Sequence, residues 1–426
     1  MVKVEYLALL IPFFISGNLM ELKNINQIEN ATSAGRKELY RISIALLFMV
    51  CVMFYVGSTV GEVKGGFLLI IAAVIGGYMA LNIGANDVAN NVGPAVGSKA
   101  LTLTGAIIIA AIFEASGAII AGGAVVSTIK KSIIDPAMIS DADTFIWLMM
   151  AALLAAAIWL NIATALGAPV STTHSIVGGV LGAGIAAGGF GIANWPVFGK
   201  IVASWVISPI MGGLIAAAFL YIIKRTVTYQ KDMIMAAKKV VPILIALMAW
   251  VFSTYLIMKG LKKIWKVDLA VAASIGLAVA VGLYIFLLPT IARTARYLEN
   301  SKDSVNTLFT IPLVFAAALL SFAHGANDVA NAVGPLAAMV HASEFGDFAA
   351  KVSIPMWVMV IGAFGISFGL FLFGPKLIRM VGSQITKLNP MRAYCVSLSA
   401  AITVIVASWL GLPVSSTHIA VGAVFG

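Results

Sequence analysis

The stretch "GANDVANNVGP", residues 84–94, follows a run of uncharged, mostly apolar residues from Phe67 to Ile83. A run of that length reaches well into a bilayer, so the stretch puts a carboxylate, several amides and a proline at membrane depth. It returns at residues 325–335 as "GANDVANAVGP", which is identical except at one position. The chain is therefore organised around a duplicated polar motif set among apolar segments.

The composition excludes a soluble protein. Of 426 residues, 61% are hydrophobic and only 10% are charged, and the mean hydropathy is +1.04. Soluble domains carry about 25% charged residues. Apolar segments of roughly 20 residues recur from end to end, so we predict an all-α polytopic membrane protein with about 12 transmembrane helices.

The basic character of the chain points to lipid rather than to nucleic acid. The formal net charge is +10 and the sequence pI is about 9.5, but the Lys and Arg residues lie in short loops between apolar spans. That distribution is typical of the positive-inside bias of membrane proteins. Cys51 and Cys395 both fall within apolar spans, which argues against a disulfide framework.

A second motif is duplicated as well, and the two motifs together define the domains. It reads "PVSTTHSIVGGVLG" from Pro169 and "PVSSTHIAVGAVFG" from Pro413. The spacing between the two motifs is almost the same in both copies, so each copy is one structural unit. We predict four regions: two N-terminal helices in 1–66, the first of them at 4–20; a first repeat in 67–224; basic linkers with two helices in 225–306; and a second repeat in 307–426.

Loop charges predict that the two repeats are inverted. The loop 129–143 mixes bases with three Asp residues, whereas the equivalent loop 375–392 is basic and has no acid. The positive-inside rule assigns these loops to opposite sides, and an odd number of spans between the repeats agrees. Only the lysines of 259–266 would lie on the wrong side. Inverted repeats with interrupted helices are the architecture of secondary transporters, which bind substrate near the midplane.

The first motif has the composition of a site for a hard cation. A charged side chain at the bilayer centre costs at least about 2.5 to 3.5 kcal/mol, and no Lys or Arg accompanies the aspartate in both copies, so a bound cation is the expected partner. Amide, carboxylate and carbonyl oxygens suit alkali or alkaline-earth ions. The predicted sodium ligands are Asn86, Asp87, Asn90, Asn327, Asp328 and Asn331. We expect the Gly-Pro pairs 93–94 and 334–335 to end the helix. The alternative is a polar packing seam with hydrogen-bonded aspartates.

The second motif predicts an anion site. A proline followed by hydroxyl residues is typical of a helix N-terminus, where free N–H groups and the helix dipole attract anions. The predicted phosphate-binding residues are Ser171, Thr172, Thr173, Ser415, Ser416 and Thr417, together with Asn90 and Asn331. Alternatively, such hydroxyls bond the preceding turn. His174 and His418 are expected to support the loops or to carry protons, and Glu114 is either a further ion or proton site or a carboxyl bonded to a neighbouring helix.

These four motifs, in this order, resemble the signatures of the PiT family of inorganic phosphate transporters, over about residues 67–426. The resemblance implies an inverted-repeat symporter of the cell's inner (plasma) membrane, usually dimeric, that carries phosphate inward with sodium or, in some bacterial members, with protons. Sodium is then a co-transported ion, and no cofactor and no enzyme activity are expected. Glu114 matches a glutamate of animal members, Ser397 replaces a second one, and a further helix is typical after the second repeat. Sulfate transport, a passive channel and a phosphate-sensing receptor remain open alternatives.

Overall fold

A computed structural model describes residues 35–59, 66–123, 125–126, 133–260, 267–346, 354–384 and 388–426. Contacts divide the chain into two compact units, Met1–Phe48 and Met49–Gly426, and both copies of both motifs lie in the second unit. The predicted helix at 4–20 and most of the lysine-rich loop 259–266 lie outside the described residues.

Helices account for almost all of the described chain. The first half contains α1 Gly35–Thr59, α2 Gly66–Gly97, α3 Leu103–Ala121, α4 Ala142–Leu166, α5 Thr172–Gly188, α6 Trp195–Ile223 and α7 Met233–Gly260. The second half contains α8 Leu269–Arg296, α9 Lys302–Leu308, α10 Thr310–Asp328, α11 Ala330–Phe345, α12 Met356–Gln384, α13 Pro390–Trp409 and α14 Ser416–Phe425.

Ten spans in the described ranges are long and apolar enough to cross a membrane, with α10 and α11 counted as one span. Large apolar side chains such as Trp159, Leu214 and Phe286 are exposed on the outside of the protein. This is expected where a helix face contacts lipid rather than water. The protein is therefore an all-α, multi-pass membrane protein, as the composition predicts.

The glycine that opens each GAND motif fixes a close helix crossing. A Cβ on Gly84 would overlap the carbonyl oxygen of Ile366 in α12, and a Cβ on Gly325 would overlap that of Glu114 in α3. Small residues let helix backbones approach in this way. Because Gly84 comes three residues before Asp87, the crossing also sets the depth of the carboxylate.

The same crossings confirm that the repeats are inverted. Gly117 in α3 lies against Phe322 in α10, and Gly122, just after α3, lies against Val329, just after α10, so the two helices run in the same direction. A short turn at 98–102 joins α2 to α3, which makes these two helices antiparallel neighbours. Helix α2 therefore runs opposite to α10, its counterpart in the second repeat.

The PVS motif marks a re-entrant helix pair in the first repeat. Helix α4 ends at Leu166, where Gly167 has a φ of 77°, and α5 begins five residues later at Thr172. The far ends of the pair meet, since the Asp135 N–H donates to the Ile192 carbonyl at 2.7 Å. The helix thus enters to the level of the motif and returns to the side from which it came.

The helix ends predicted at the two Gly-Pro pairs are wrong. Helix α2 continues past Pro94 to Gly97, and α11 continues past Pro335 to Phe345. The second copy of the GAND motif is interrupted earlier, at Val329 between α10 and α11. A proline within a helix still removes one hydrogen bond, that to the carbonyl four residues earlier, and here those carbonyls belong to Asn90 and Asn331.

Candidate functional site

All four motifs meet at one place in the interior of the second unit. Asp87 of α2 is fully buried, and Asp328 at the end of α10 is 1% exposed. The N-termini of α5 and α14 approach these carboxylates from opposite repeats. The structure thus brings together the predicted residues of the ion site and of the anion site, which lie far apart in the sequence.

Hydroxyl groups of the two helix tips contact both aspartates. The Thr172 hydroxyl donates to Asp87 Oδ2 at 2.7 Å and lies 3.3 Å from Asp328 Oδ2. Its counterpart Ser416 lies 3.3 Å from Asp328 Oδ2, and the Thr417 hydroxyl lies 3.4 Å from Asp87 Oδ1. The aspartates are therefore in direct contact with the Ser/Thr clusters.

Asn90 and Asn331 join each repeat to the helix tip of the other. The Asn90 amide donates to the Thr417 hydroxyl at 2.8 Å, and the Asn331 amide donates to the Thr173 hydroxyl at 3.1 Å. Both asparagines are at most 5% exposed. These two bonds are equivalent under the pseudo-twofold relation between the repeats.

Asn86 and Asn327 brace the chain that leads into each helix tip. The Asn86 amide donates to the Thr164 hydroxyl and to the Ala168 carbonyl, both at 3.1 Å, and its oxygen accepts from the Val170 N–H at 3.0 Å. Asn327 repeats the pattern with Ser408 at 2.8 Å. In this structure their amides hold the connections between α4 and α5 and between α13 and α14.

The two helix tips are also bonded to each other. The Thr173 hydroxyl donates to the Val414 carbonyl at 2.9 Å, and the Thr417 hydroxyl donates to the Val170 carbonyl at 3.2 Å.

The remaining serines act as N-caps. The hydroxyls of Ser171 and Ser415 accept the N–H groups of His174 and His418. Each tip therefore uses its first serine to cap its own helix, and its last hydroxyl, Thr173 or Thr417, to bond the other tip.

His174 and His418 lie side by side at the pseudo-twofold axis. Their ring centroids are 4.7 Å apart, and the His174 ring also packs on Trp205 at 3.7 Å. His174 is half-buried, whereas His418 is exposed. The two rings therefore pack against each other, and the His174 ring also packs against Trp205 of α6.

His324, which is not among the predicted ligands, lies against both aspartates. Its Nε2 is 3.3 Å from Asp87 Oδ2 and 3.1 Å from Asp328 Oδ2. Its counterpart by position is Ile83, so the sequence predicts that any role of His324 is specific to one repeat. One signal was available: His324 precedes Asp328 by one helical turn, so the two share a helix face.

Glu114 is fully buried and bonded to neighbouring helices. Its Oε1 accepts from the Asn91 amide at 2.7 Å, and its Oε2 lies 3.2 Å from His324 Nδ1.

Ligand atoms of Asp87, His324 and Asp328 all lie within 4.8 Å of one another. That spacing is close enough for the group to hold one small cation.

Carboxylates, amides and helix N-termini gathered at the centre of an inverted helical repeat define a membrane transport protein. Known proteins identify the kind. The sequence profile of the phosphate transporter family matches residues 83–426. A phosphate permease of Helicobacter pylori (strain J99), so described by its name, is 55% identical over 413 residues, which are 96% of this chain and 77% of the relative.

A second relative, a phosphate permease by name from Pyrococcus abyssi, is 40% identical over 361 residues, 84% of this chain and 88% of its own. A solved structure described as "The sodium-dependent phosphate transporter" superimposes with a TM-score of 0.80 at 38% identity, covering 84% of this chain and 88% of the other. The chain belongs to the phosphate transporter family, and it is a transporter rather than an enzyme.

Proposed function

We propose that the protein is a secondary active transporter that carries inorganic phosphate across the membrane coupled to sodium. The observation that carries this proposal is the contact between two buried aspartates and two hydroxyl-rich helix N-termini, with Thr172 2.7 Å from Asp87 and 3.3 Å from Asp328. A cation between the aspartates and an oxyanion at the tips would attract each other across that contact. The solved relative named for sodium dependence supports the choice of ion.

Oxygen atoms around the aspartates suit sodium. Asp87 and Asp328 contribute carboxylates, and the amide oxygens of Asn90 and Asn331 lie one helical turn further along. Pro94 and Pro335 leave the carbonyls of those same two asparagines without a helical donor. We assign these four acidic and amide residues as the main sodium ligands. The bracing bonds of Asn86 and Asn327 favour a supporting role for that pair.

Phosphate would bind at the tips of α5 and α14. The first N–H groups of a helix have no partner within it, and the hydroxyls of Thr172, Thr173, Ser416 and Thr417 lie beside them. Protonated phosphate can also donate a hydrogen bond to an aspartate or asparagine oxygen, whereas sulfate has no hydrogen to donate. This difference favours phosphate as the substrate.

Coupling follows from mutual stabilisation of the bound ions. No Arg or Lys contacts the aspartates among the described residues, so sodium would supply the charge that holds phosphate, and phosphate would in turn raise sodium affinity. Such reciprocity is thermodynamic coupling. Rocking of one repeat against the other would then expose the loaded site to each side in turn.

A proton-coupled phosphate or sulfate permease is the second candidate. The buried His324 and Glu114 are titratable groups next to the aspartates, and such groups can relay protons in transporters. A passive channel or a receptor is the candidate of a different class.

Labelled-phosphate uptake into proteoliposomes tests these possibilities. We expect saturable accumulation against a gradient that requires inward-directed sodium, fails with lithium or choline, and is competed by phosphate far better than by sulfate. A matched preparation of the Asp328→Asn variant serves as the control for nonspecific uptake. Accumulation driven by a pH gradient without sodium would reject sodium coupling, and equilibration without accumulation would reject active transport.

We further propose that the protein resides in the plasma membrane and is a homodimer, as the family resemblance implies. The repeats would be 67–224 and 307–426, with 225–306 as the link; the reciprocal contacts of α2 with α12 and of α3 with α10 support that division. Light scattering of the purified protein in detergent would give the mass of one chain if the dimer proposal is wrong.

A further inference from the structure

The two GAND motifs differ at a single position, Asn91 in the first and Ala332 in the second. Asn91 is fully buried, and its amide donates to Glu114 Oε1 at 2.7 Å. Ala332 is equally buried but has no polar group to offer. The one difference between the motifs is thus a hydrogen bond to a buried acid.

Glu114 and His324 are one-sided in the same way. Gly325 crosses the carbonyl of Glu114 and Gly84 crosses the carbonyl of Ile366, so Ile366 is the counterpart of Glu114. His324 corresponds to Ile83. Three polar residues in one half of the site therefore correspond to three apolar residues in the other half, whereas the bonds of Asn90 and Asn331 to the helix tips are paired across the repeats.

These three residues lie in a row of contacts that ends between the aspartates. Asn91 bonds Glu114, Glu114 Oε2 lies 3.2 Å from His324 Nδ1, and His324 Nε2 lies within 3.3 Å of both aspartates. Glu114 and His324 are fully buried. Glu114 Oε2 and His324 Nδ1 are in contact but are not aligned as a hydrogen bond, so Glu114 restrains the buried ring by its contact and helps to keep Nε2 between the aspartates.

We propose that His324 is a tethered substitute for the coupling ion, and that Asn91 and Glu114 are positioning residues that hold its Nε2 between Asp87 and Asp328. This inference rests on the proposed function, in which those aspartates bind sodium. After phosphate and sodium leave, the empty carrier must return with two buried carboxylates. Unpartnered buried charges are strongly unfavourable, and the His324 donor satisfies them during that step.

The proposal separates two transport modes. Net uptake requires the empty carrier to return, whereas exchange of labelled for unlabelled phosphate at saturating sodium on both sides does not. Loss of the His324 substitute should therefore slow net uptake and spare exchange. A merely structural defect would lower both modes together.

The test compares Asn91→Ala, Glu114→Gln and Glu114→Ile in proteoliposomes. Asn91→Ala installs the residue that the second GAND copy has at Ala332. Glu114→Ile installs the residue found at the equivalent position, Ile366. We expect the ratio of net uptake to exchange to fall about tenfold in Glu114→Ile, a change equivalent to about 1.4 kcal/mol. The ratio should fall less in Asn91→Ala and Glu114→Gln. Ile366→Val and Ile83→Val, at the mirror positions, are the packing controls and should keep the wild-type ratio.

An unchanged ratio in Asn91→Ala and Glu114→Gln, or an equal loss in both modes, would overturn the proposal. If Glu114→Ile does not fold, Asn91→Ala decides the question, because alanine is accommodated at the equivalent place in α11. Failure of the proposed function would look different: wild-type exchange would then proceed at full rate without sodium.

Discussion

At the scale of single residues, Thr172 is the hydroxyl on which the site depends most. It reaches both aspartates, whereas its counterpart Ser416 reaches only Asp328. A hydrogen bond to a charged group contributes about 1.5 to 3 kcal/mol, so we predict that Thr172→Val weakens sodium-dependent phosphate uptake at least about tenfold. The apparent sodium and phosphate affinities in proteoliposomes measure the effect.

Thr172→Ser is the matched control, since it keeps the hydroxyl and should keep most of the affinity. Ser416→Ala should cost less than Thr172→Val. Equal losses in Thr172→Ser and Thr172→Val would mean that the methyl group, and not the hydroxyl, matters at this position.

The sequence identified most residues of the site but not their partners. Composition and duplication point to Asp87, Asp328 and the tip hydroxyls, because polar groups at membrane depth are costly unless they bind a partner. They do not reveal that Asn90 contacts a residue 327 positions away. His324 is not among the predicted ligands, because those ligands are duplicated and the counterpart of His324 is Ile83.

At the scale of helices, α6 and α14 are bound by a contact without side chains. A Cβ on Gly422 would overlap the Pro209 carbonyl of α6, whereas a Cβ on its counterpart Gly178 in α5 would meet no atom within 4 Å. We predict that Gly422→Leu separates the two helices and costs about 1 to 3 kcal/mol. Gly178→Leu should stay within about 0.5 kcal/mol of wild type. Thermal unfolding in detergent compares the two, and equal shifts would contradict the contact.

The start of α4 offers a prediction about pH. The Ser140 hydroxyl, and then the N–H and hydroxyl of Thr144, bond the Asp141 carboxylate and lower its pKa to about 2. A carboxyl with a lowered pKa stabilises the fold above its unfolded pKa, and that contribution is lost as the pH falls toward about 2. Asp141→Ala should therefore lower the thermal midpoint at pH 7 and pH 5, with the difference shrinking below pH 4.

Asp143→Ala, two residues further along and also exposed, is the control for this cap. It should leave the midpoint close to wild type across the same pH range. If Asp141→Ala and wild type differ as much at the lowest pH as at pH 7, the capping bonds do not require the ionised carboxylate.

Helix ends were the least predictable elements. The Gly-Pro pairs read as breaks, yet α2 and α11 continue through them, because both prolines are buried among neighbouring helices and that packing outweighs one lost hydrogen bond. The breaks at the PVS motifs were predictable, since Gly167 and Gly411 adopt positive φ just before the proline.

At the scale of the whole molecule, the inverted repeats predict where two exposed turns lie. Lys99 follows α2 and Glu344 closes α11, and these are equivalent ends of the two repeats. In a Cys51→Ser, Cys395→Ala background, we expect Lys99→Cys and Glu344→Cys to react with a membrane-impermeant maleimide from opposite sides of the membrane. Labelling of both from the same side would indicate parallel repeats.

The reciprocal bonds between the helix tips have a consequence for slippage. Thr173 holds the Val414 carbonyl while Thr417 holds the Val170 carbonyl, so parting the tips severs both bonds in a single event. One tip therefore cannot move away alone and open a continuous water-filled path through the helices. A carrier whose tips are bonded in this way would allow little uncoupled sodium flux when no phosphate is present.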